Sequence, residues 1–262
     1  MYKHIFQTHI GSNLAKHQVT DYIFKLNRSF IVHREGNPRE LYQHSMNLSN
    51  YIKDLISNDK ASVWLAQREG RAKDGIDQTE PAIIKMLSLS KQSKSESLSE
   101  LIHNLHIVPV AISYEYDPCD AVKANELYQK DTTGGYEKAE QEDISSIARG
   151  IEGEKGHVHI SVGAELNGDY QTPEEVAVAI DNQILSLYKL HSSNYYAYSA
   201  LYGESPEVEA IAESHGWSSA ASNMQKLVFE SRVQSLPKDQ APYLLKMYAQ
   251  CLKRKLDMGL TR

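Results

Sequence analysis

The sequence predicts an α/β fold, a mainly parallel sheet flanked by helices, with a helical C-terminal tail. Three observations carry that prediction. Short β-branched and aromatic runs alternate with helical patterns over residues 1–200, prolines stand where helical patterns begin, and beyond Tyr202 the periodicity is helical throughout. The expected division is one α/β domain over residues 1–200 and a tail over residues 201–262.

The elements follow in order. Val19–Leu26 has helical spacing, and Ser29–His33 is a short strand. Pro38 opens a helix whose apolar face is Leu41, Ser45, Leu48, Ile52, Leu55 and Ile56, stopped at Asn58-Asp59. Ala61–Ala66 is the next strand, and Pro81 opens a helix over Ala82–Leu89. Ser90–Ser99 is an exposed loop or a fraying helix start. In the apolar run Ile107–Tyr114, Pro109 cannot donate to a ladder, so it belongs at an edge or at the strand's first residues. Val158–Val162 is a further strand, and Thr172-Pro173-Glu174-Glu175 is a capping box opening a helix to Leu190. Three helices close the chain: Glu207–His215, Ala220–Gln234 and Ala241–Met258.

Composition narrows the class. The 262 residues are 41% hydrophobic and 24% charged, which excludes collagen-like, disordered and disulfide-stapled chains. No apolar run reaches the ~18–20 residues that span a bilayer, and the first residues lack a signal-peptide pattern. Cys119 and Cys251, far apart in sequence, read as reduced buried thiols of a cytoplasmic protein. The net charge of −6 is uneven: Glu115–Glu154 carries 11 acidic and 4 basic side chains, Met224–Arg262 carries 3 and 8. The acidic segment, expected to be a solvated loop-rich excursion, argues against nucleic acid as a partner; the basic end leaves an anionic surface open.

The chemistry concentrates in Gln67-Arg68-Glu69-Gly70-Arg71-Ala72-Lys73-Asp74-Gly75, directly after the strand ending at Ala66. Open α/β sheets bind ligands at the carboxyl ends of their strands. Arginine matches a phosphate with a planar fork, and lysine adds a mobile charge. Gly70 and Gly75 permit sharp turns and close backbone approach. Arg34, at the end of the preceding strand, can reach the same place. A solvated charged turn is the plain alternative, and an anion site the functional one.

Three blocks in order, Asn27–Arg34, Trp64–Arg71 and Ile107–Val110, resemble the second, third and fourth motifs of the glycerophospholipid acyltransferase superfamily, which includes glycerol-3-phosphate and lysophosphatidic acid acyltransferases. The resemblance implies that Arg34, Arg68, Arg71 and Lys73 hold the acceptor phosphate and that Glu69 and Gly70 shape the loop beneath it. Arg71 directly follows Gly70 where the commoner form is Glu-Gly-Thr-Arg, so either Arg71 or Lys73 takes that arginine's phosphate contact. The resemblance also implies an acyl-coenzyme A or acyl carrier protein donor, a lysophospholipid or glycerol-phosphate acceptor, no cofactor, and a cytoplasmic location, peripheral on the inner face of the membrane.

The family's first motif, His-x-x-x-x-Asp, supplies the general base that takes the acceptor's proton. None of the 11 histidines here stands five residues before an aspartate. The expectation is a chain that begins downstream of its catalytic strand, without the roughly 10²–10⁴-fold a positioned base contributes. Two function classes follow: an acyltransferase, or a non-catalytic remnant that keeps a phospholipid-binding anion site.

Other features have plain readings beside sharper ones. His157 and His159 share a strand face, as a metal pair lacking a third ligand or as packing and solvent contacts; His103 and His106 are similar. In the last helix Leu244, Leu245, Tyr248, Leu252 and Leu256 form an apolar stripe beside Lys246, Lys253, Arg254 and Lys255, a helix either lying on anionic lipid or packed on the domain.

Overall fold

A computed structural model describes residues 6–11, 29–32, 36–58, 61–68, 72–91, 95–139, 142–219 and 222–260. The chain divides into two compact units: Met1–Gly70 with Gln78–Pro109 and Ala164–Asp181, and Arg71–Asp77 with Val110–Gly163 and Asn182–Arg262.

The first unit holds a small parallel sheet. β1 (Phe6–Gly11) lies between β2 (Ser29–Val32) and β3 (Ser62–Trp64). Thr8 is opposite Ser29 on one side and Trp64 on the other, and Gly11 is opposite Val32. α1 (Pro38–Ser57) starts where the sequence places it, because Asn37 and Glu40 close a reciprocal box: Glu40 N–H donates to Asn37 Oδ1 at 3.0 Å and Asn37 N–H to Glu40 Oε2 at 3.1 Å. α2 (Pro81–Leu87) has proline in its first turn, and Ser97 caps α3 (Leu98–Leu105). Ile52, Leu87, Leu101 and Leu105 make the buried core, with Val63 and Leu65 of the β3 segment packed against it. Two polar side chains of α1 enter this core satisfied: Ser49 Oγ donates to Leu87 O at 2.7 Å, and Lys53 Nζ to Ser90 O at 3.0 Å.

The second unit is mainly helical. β4 (Val110–Tyr114) and β5 (Val158–Val162) form a two-stranded antiparallel ribbon, Ile112 opposite Ile160. Between them run α4 (Asp120–Thr133) and α5 (Glu142–Glu152). α6 (Pro173–Leu187), shared between the two divisions of the chain, is followed by α7 (Ser192–Tyr202), α8 (Pro206–Ser214), α9 (Asn223–Gln234) and α10 (Ala241–Asp257). Tyr195, Tyr196 and Ala197 of α7 pack with Val208, Phe229, Leu244, Tyr248 and Leu252.

The expectation of a mainly parallel α/β sheet is therefore corrected. Helix far outweighs strand among the described residues, and the parallel part is three short strands. The runs around Val110–Tyr114 and Val158–Val162 do not join it. A parallel return needs one crossover element to carry the chain back to the start of the first strand. Here two helices intervene, and the chain re-enters at the end where β4 left: the ladder continues through Glu115 N–H to His157 O at 2.8 Å and Tyr116 N–H to Lys155 O at 3.0 Å.

Other expectations change as well. The acidic segment is not a loop-rich excursion but carries α4 and α5. α6 ends at Leu187 instead of Leu190, and the helix expected at Val19–Leu26 lies outside the described residues. The stripe of α10 is core, with Leu244 and Leu252 fully enclosed. Lys255 on its basic side is itself buried and donates to Ser186 O at 3.0 Å.

This packing makes a direct prediction. Leu252→Ala should lower the free energy of unfolding by about 2–5 kcal/mol, the range for enlarging a closed apolar core. Removing the exposed Lys246, whose ammonium lies 5.5 Å from the Tyr243 ring centroid, should cost less than about 1 kcal/mol. Urea denaturation followed by circular dichroism measures both.

Candidate functional site

The parallel sheet fixes the candidate site within the first unit. In a parallel sheet all strands end on the same side, so the chain leaves β1, β2 and β3 at one edge. The β1–β3 pairing ends with Thr8 opposite Trp64, and Gln67 lies three residues beyond it. The chain bends at Gln67 and Arg68, and both residues are half-buried.

The segment after this bend is pinned where it returns. Glu80 N–H donates to Gln67 O at 2.8 Å. Beside it, the buried Thr79 gives both donors to one carboxylate oxygen, its N–H at 2.8 Å and its Oγ1–H at 2.6 Å from Asp181 Oδ1 on α6. A carboxylate receiving two short hydrogen bonds is a firm anchor.

Of the six candidate residues, Arg68 is placed at this edge. Arg34, Glu69, Gly70 and Arg71 lie outside the described residues. Lys73 belongs to the second unit, where its ammonium pairs with Glu126 of α4; Lys130 Nζ reaches the same Oε1 at 2.8 Å. Burial pushes the Glu126 carboxyl up, but the hydrogen bonds from Lys130 and Lys73 outweigh it and hold the pKa below its ordinary 4.5. Gly75, at φ +76°, lies against α10, and a Cβ there would sit 2.1 Å from Met247 O. Only glycine fits this position.

The sequence reading missed three participants. β1 sits at the centre of the sheet, and its signal was the alternation of Phe6, Thr8 and Ile10. The Thr79–Asp181 anchor joins residues 102 apart in sequence, and no local pattern announces it. Gln67 opens the cationic motif, and nothing local marks a role for it. Its Nε2 is buried, with no hydrogen-bond partner among the described residues.

His157 and His106 contact carboxylates, and His191 a hydroxyl. His157 Nδ1 lies 2.6 Å from Glu115 Oε2, His106 Nδ1 2.7 Å from Glu165 Oε1, and His191 Nε2 3.2 Å from Ser113 Oγ. Burial raises the Glu115 carboxyl, the hydrogen bonds of His157 lower it further, and the net direction is down. Among the described residues no group of three histidine, cysteine or acidic side chains is arranged to hold a metal ion. Cys251 is half-buried, and burial pushes its thiol up to about 11.

No family model matches this chain, and no curated protein or solved structure is similar to it. Among the described residues no helix is long and apolar enough to cross a membrane.

Lys73→Ala should destabilise the second unit by about 1 kcal/mol at neutral pH, since Lys130 remains to meet Glu126. A carboxylate with a lowered pKa adds stability that is present above its ordinary value and lost as pH falls through the lowered one. The variant should therefore lose less stability than the parent on acidification below about pH 4.5. Thermal melts between pH 7 and pH 3 measure the difference.

Proposed function

We propose that this chain serves acyl transfer onto a glycerol phosphoester. The edge of the first unit binds the phosphate of a glycerol-phosphate or lysophospholipid acceptor, and the acceptor hydroxyl receives an acyl chain carried by coenzyme A or acyl carrier protein. The chain works at the inner face of the membrane, where such acceptors lie. The observation that carries the reading is the shared edge. The block that resembles the superfamily's second motif contains β2, and the one that resembles the third starts at Trp64, the last residue of β3; β2 and β3 flank β1 in parallel and end on one side. Arg68 follows at the bend, and a guanidinium there suits a phosphate dianion.

A second reading is a non-catalytic protein that binds the same phosphoester, favoured by the lack of His-x-x-x-x-Asp in this sequence. Acceptor binding tests what the two readings share, and acyl transfer from a labelled acyl thioester separates them.

Arg68→Ala should weaken binding of glycerol 3-phosphate about 10–100-fold, the loss of one charge-assisted contact, and binding to the parent chain should fall as salt is raised. Isothermal titration at two ionic strengths reads both effects. Equal affinity of the variant and the parent, or no binding by the parent at millimolar ligand, sinks the proposal.

A further inference from the structure

Gln67 carries an observation that the phosphate contacts do not explain. Gln67 lies three residues past the end of β3 and directly before Arg68, at the bend. The main chain there is held by the bond from Glu80 N–H to Gln67 O. Yet Nε2 is enclosed and has no partner among the described residues. Buried donors are normally paired, and one left unmade costs the full desolvation of the group. Leucine or methionine would fill a similar volume without that cost, and Arg68 follows directly, so an amide there is explained by an oxygen it meets when the site is filled.

The chemistry of the donor narrows what that oxygen is. A neutral amide adds little against a phosphate dianion beside a guanidinium, but it matches an uncharged hydroxyl. The enclosed position also sharpens discrimination, because a buried group left unpaired by the wrong ligand penalises that ligand. We infer that Gln67 is the specificity-determining donor of the site, its Nε2–H₂ donating to a glycerol hydroxyl of the acceptor and so selecting a glycerol phosphoester over bare phosphate. This rests on the proposed function for the acceptor class and adds to it the residue that tells glycerol from the anion alone.

The test compares two probes, glycerol 3-phosphate and inorganic phosphate, on the full chain and on Gln67→Leu, Gln67→Met and Arg68→Ala, with melting temperatures of the free proteins. Both Gln67 variants should weaken glycerol 3-phosphate about 10-fold and leave inorganic phosphate within about 2-fold, whereas Arg68→Ala weakens both. The free Gln67 variants should melt at or above the parent's temperature, because they delete an unpaired buried donor.

Unchanged affinity for glycerol 3-phosphate in the Gln67 variants overturns the inference and leaves the proposed function standing. Equal weakening of both probes overturns the claim of selectivity. A clear fall in melting temperature in both variants, or failure of both to fold, shows that the amide is structural and overturns the inference too. A parent chain that binds no glycerol 3-phosphate removes the proposed function, and the inference with it.

Discussion

The bond from Glu80 N–H to Gln67 O holds together the part of the chain on which the site depends. Between those residues the sequence is rich in charge and glycine, a composition that by itself gives a mobile loop. Closing such a segment costs chain entropy that grows only slowly with its length, and the chain meets that cost at both ends of the return. Asp181 takes both donors of Thr79, so the residue before Glu80 is fixed by a charged acceptor. Arg68 therefore stands at a bend whose return is anchored, which a phosphate contact requires and a free loop does not provide.

The second unit solves a different problem, the burial of charge in a helical core. Tyr248 OH accepts from Asp117 N–H at 2.7 Å and donates to Asp120 Oδ2 at 2.8 Å. Arg232 meets the same Asp120 oxygen through Nε at 3.1 Å and Nη2 at 2.8 Å, and lies 5.1 Å from the Tyr116 ring centroid. Each charged group finds a partner of opposite sign together with neutral hydrogen bonds, the condition under which buried ions are tolerated. The buried residues of α4 are Asp120, Ala124 and Glu126, mostly polar, and Arg232, Lys73 and Lys130 answer the two carboxylates.

Those buried carboxylates mark one limit of what the sequence makes legible. Helix starts at Pro38 and Pro173 are local events, set by a proline with a capping residue beside it, and the start at Pro81 by the proline itself, so they can be read without knowing the fold. Val110–Tyr114 is legible as a strand for the same reason: Pro109 just before it cannot join a ladder. The direction of that strand's partner is not local. It depends on whether the intervening chain makes one crossing or two, and α4 was hidden because its buried side chains are acidic and defeat a search for apolar periodicity. In α5 the spacing of Ile144, Ile147 and Ile151 was there to be read, behind the charge count. α7 hid for the opposite reason: it is buried along Ser192–Ala197, so no polar face marks its period. At the candidate site the place of Arg68 just after β3 was legible, whereas the Asp181 anchor joins distant segments and the isolation of Gln67 Nε2 shows only in the packed structure.

Replacing the expected large sheet by three short parallel strands changes what the proposed function must rest on. A full doubly wound sheet offers a crevice where its strand order reverses; a trio with β1 in the middle offers only the edge where its strands end. That edge suffices for recognising a phosphoester, because the recognition is short-ranged. A guanidinium hydrogen bond and an amide hydrogen bond both act within about 3 Å of the ligand, so their geometry is set by the bend at Gln67 and Arg68 and by the anchors beside it. Strands elsewhere in the chain do not enter. The antiparallel ribbon and the helical second unit are thus compatible with acceptor binding at the first unit, and the sheet as a whole matters to the chemistry only through the register that brings β2 and β3 to a common end.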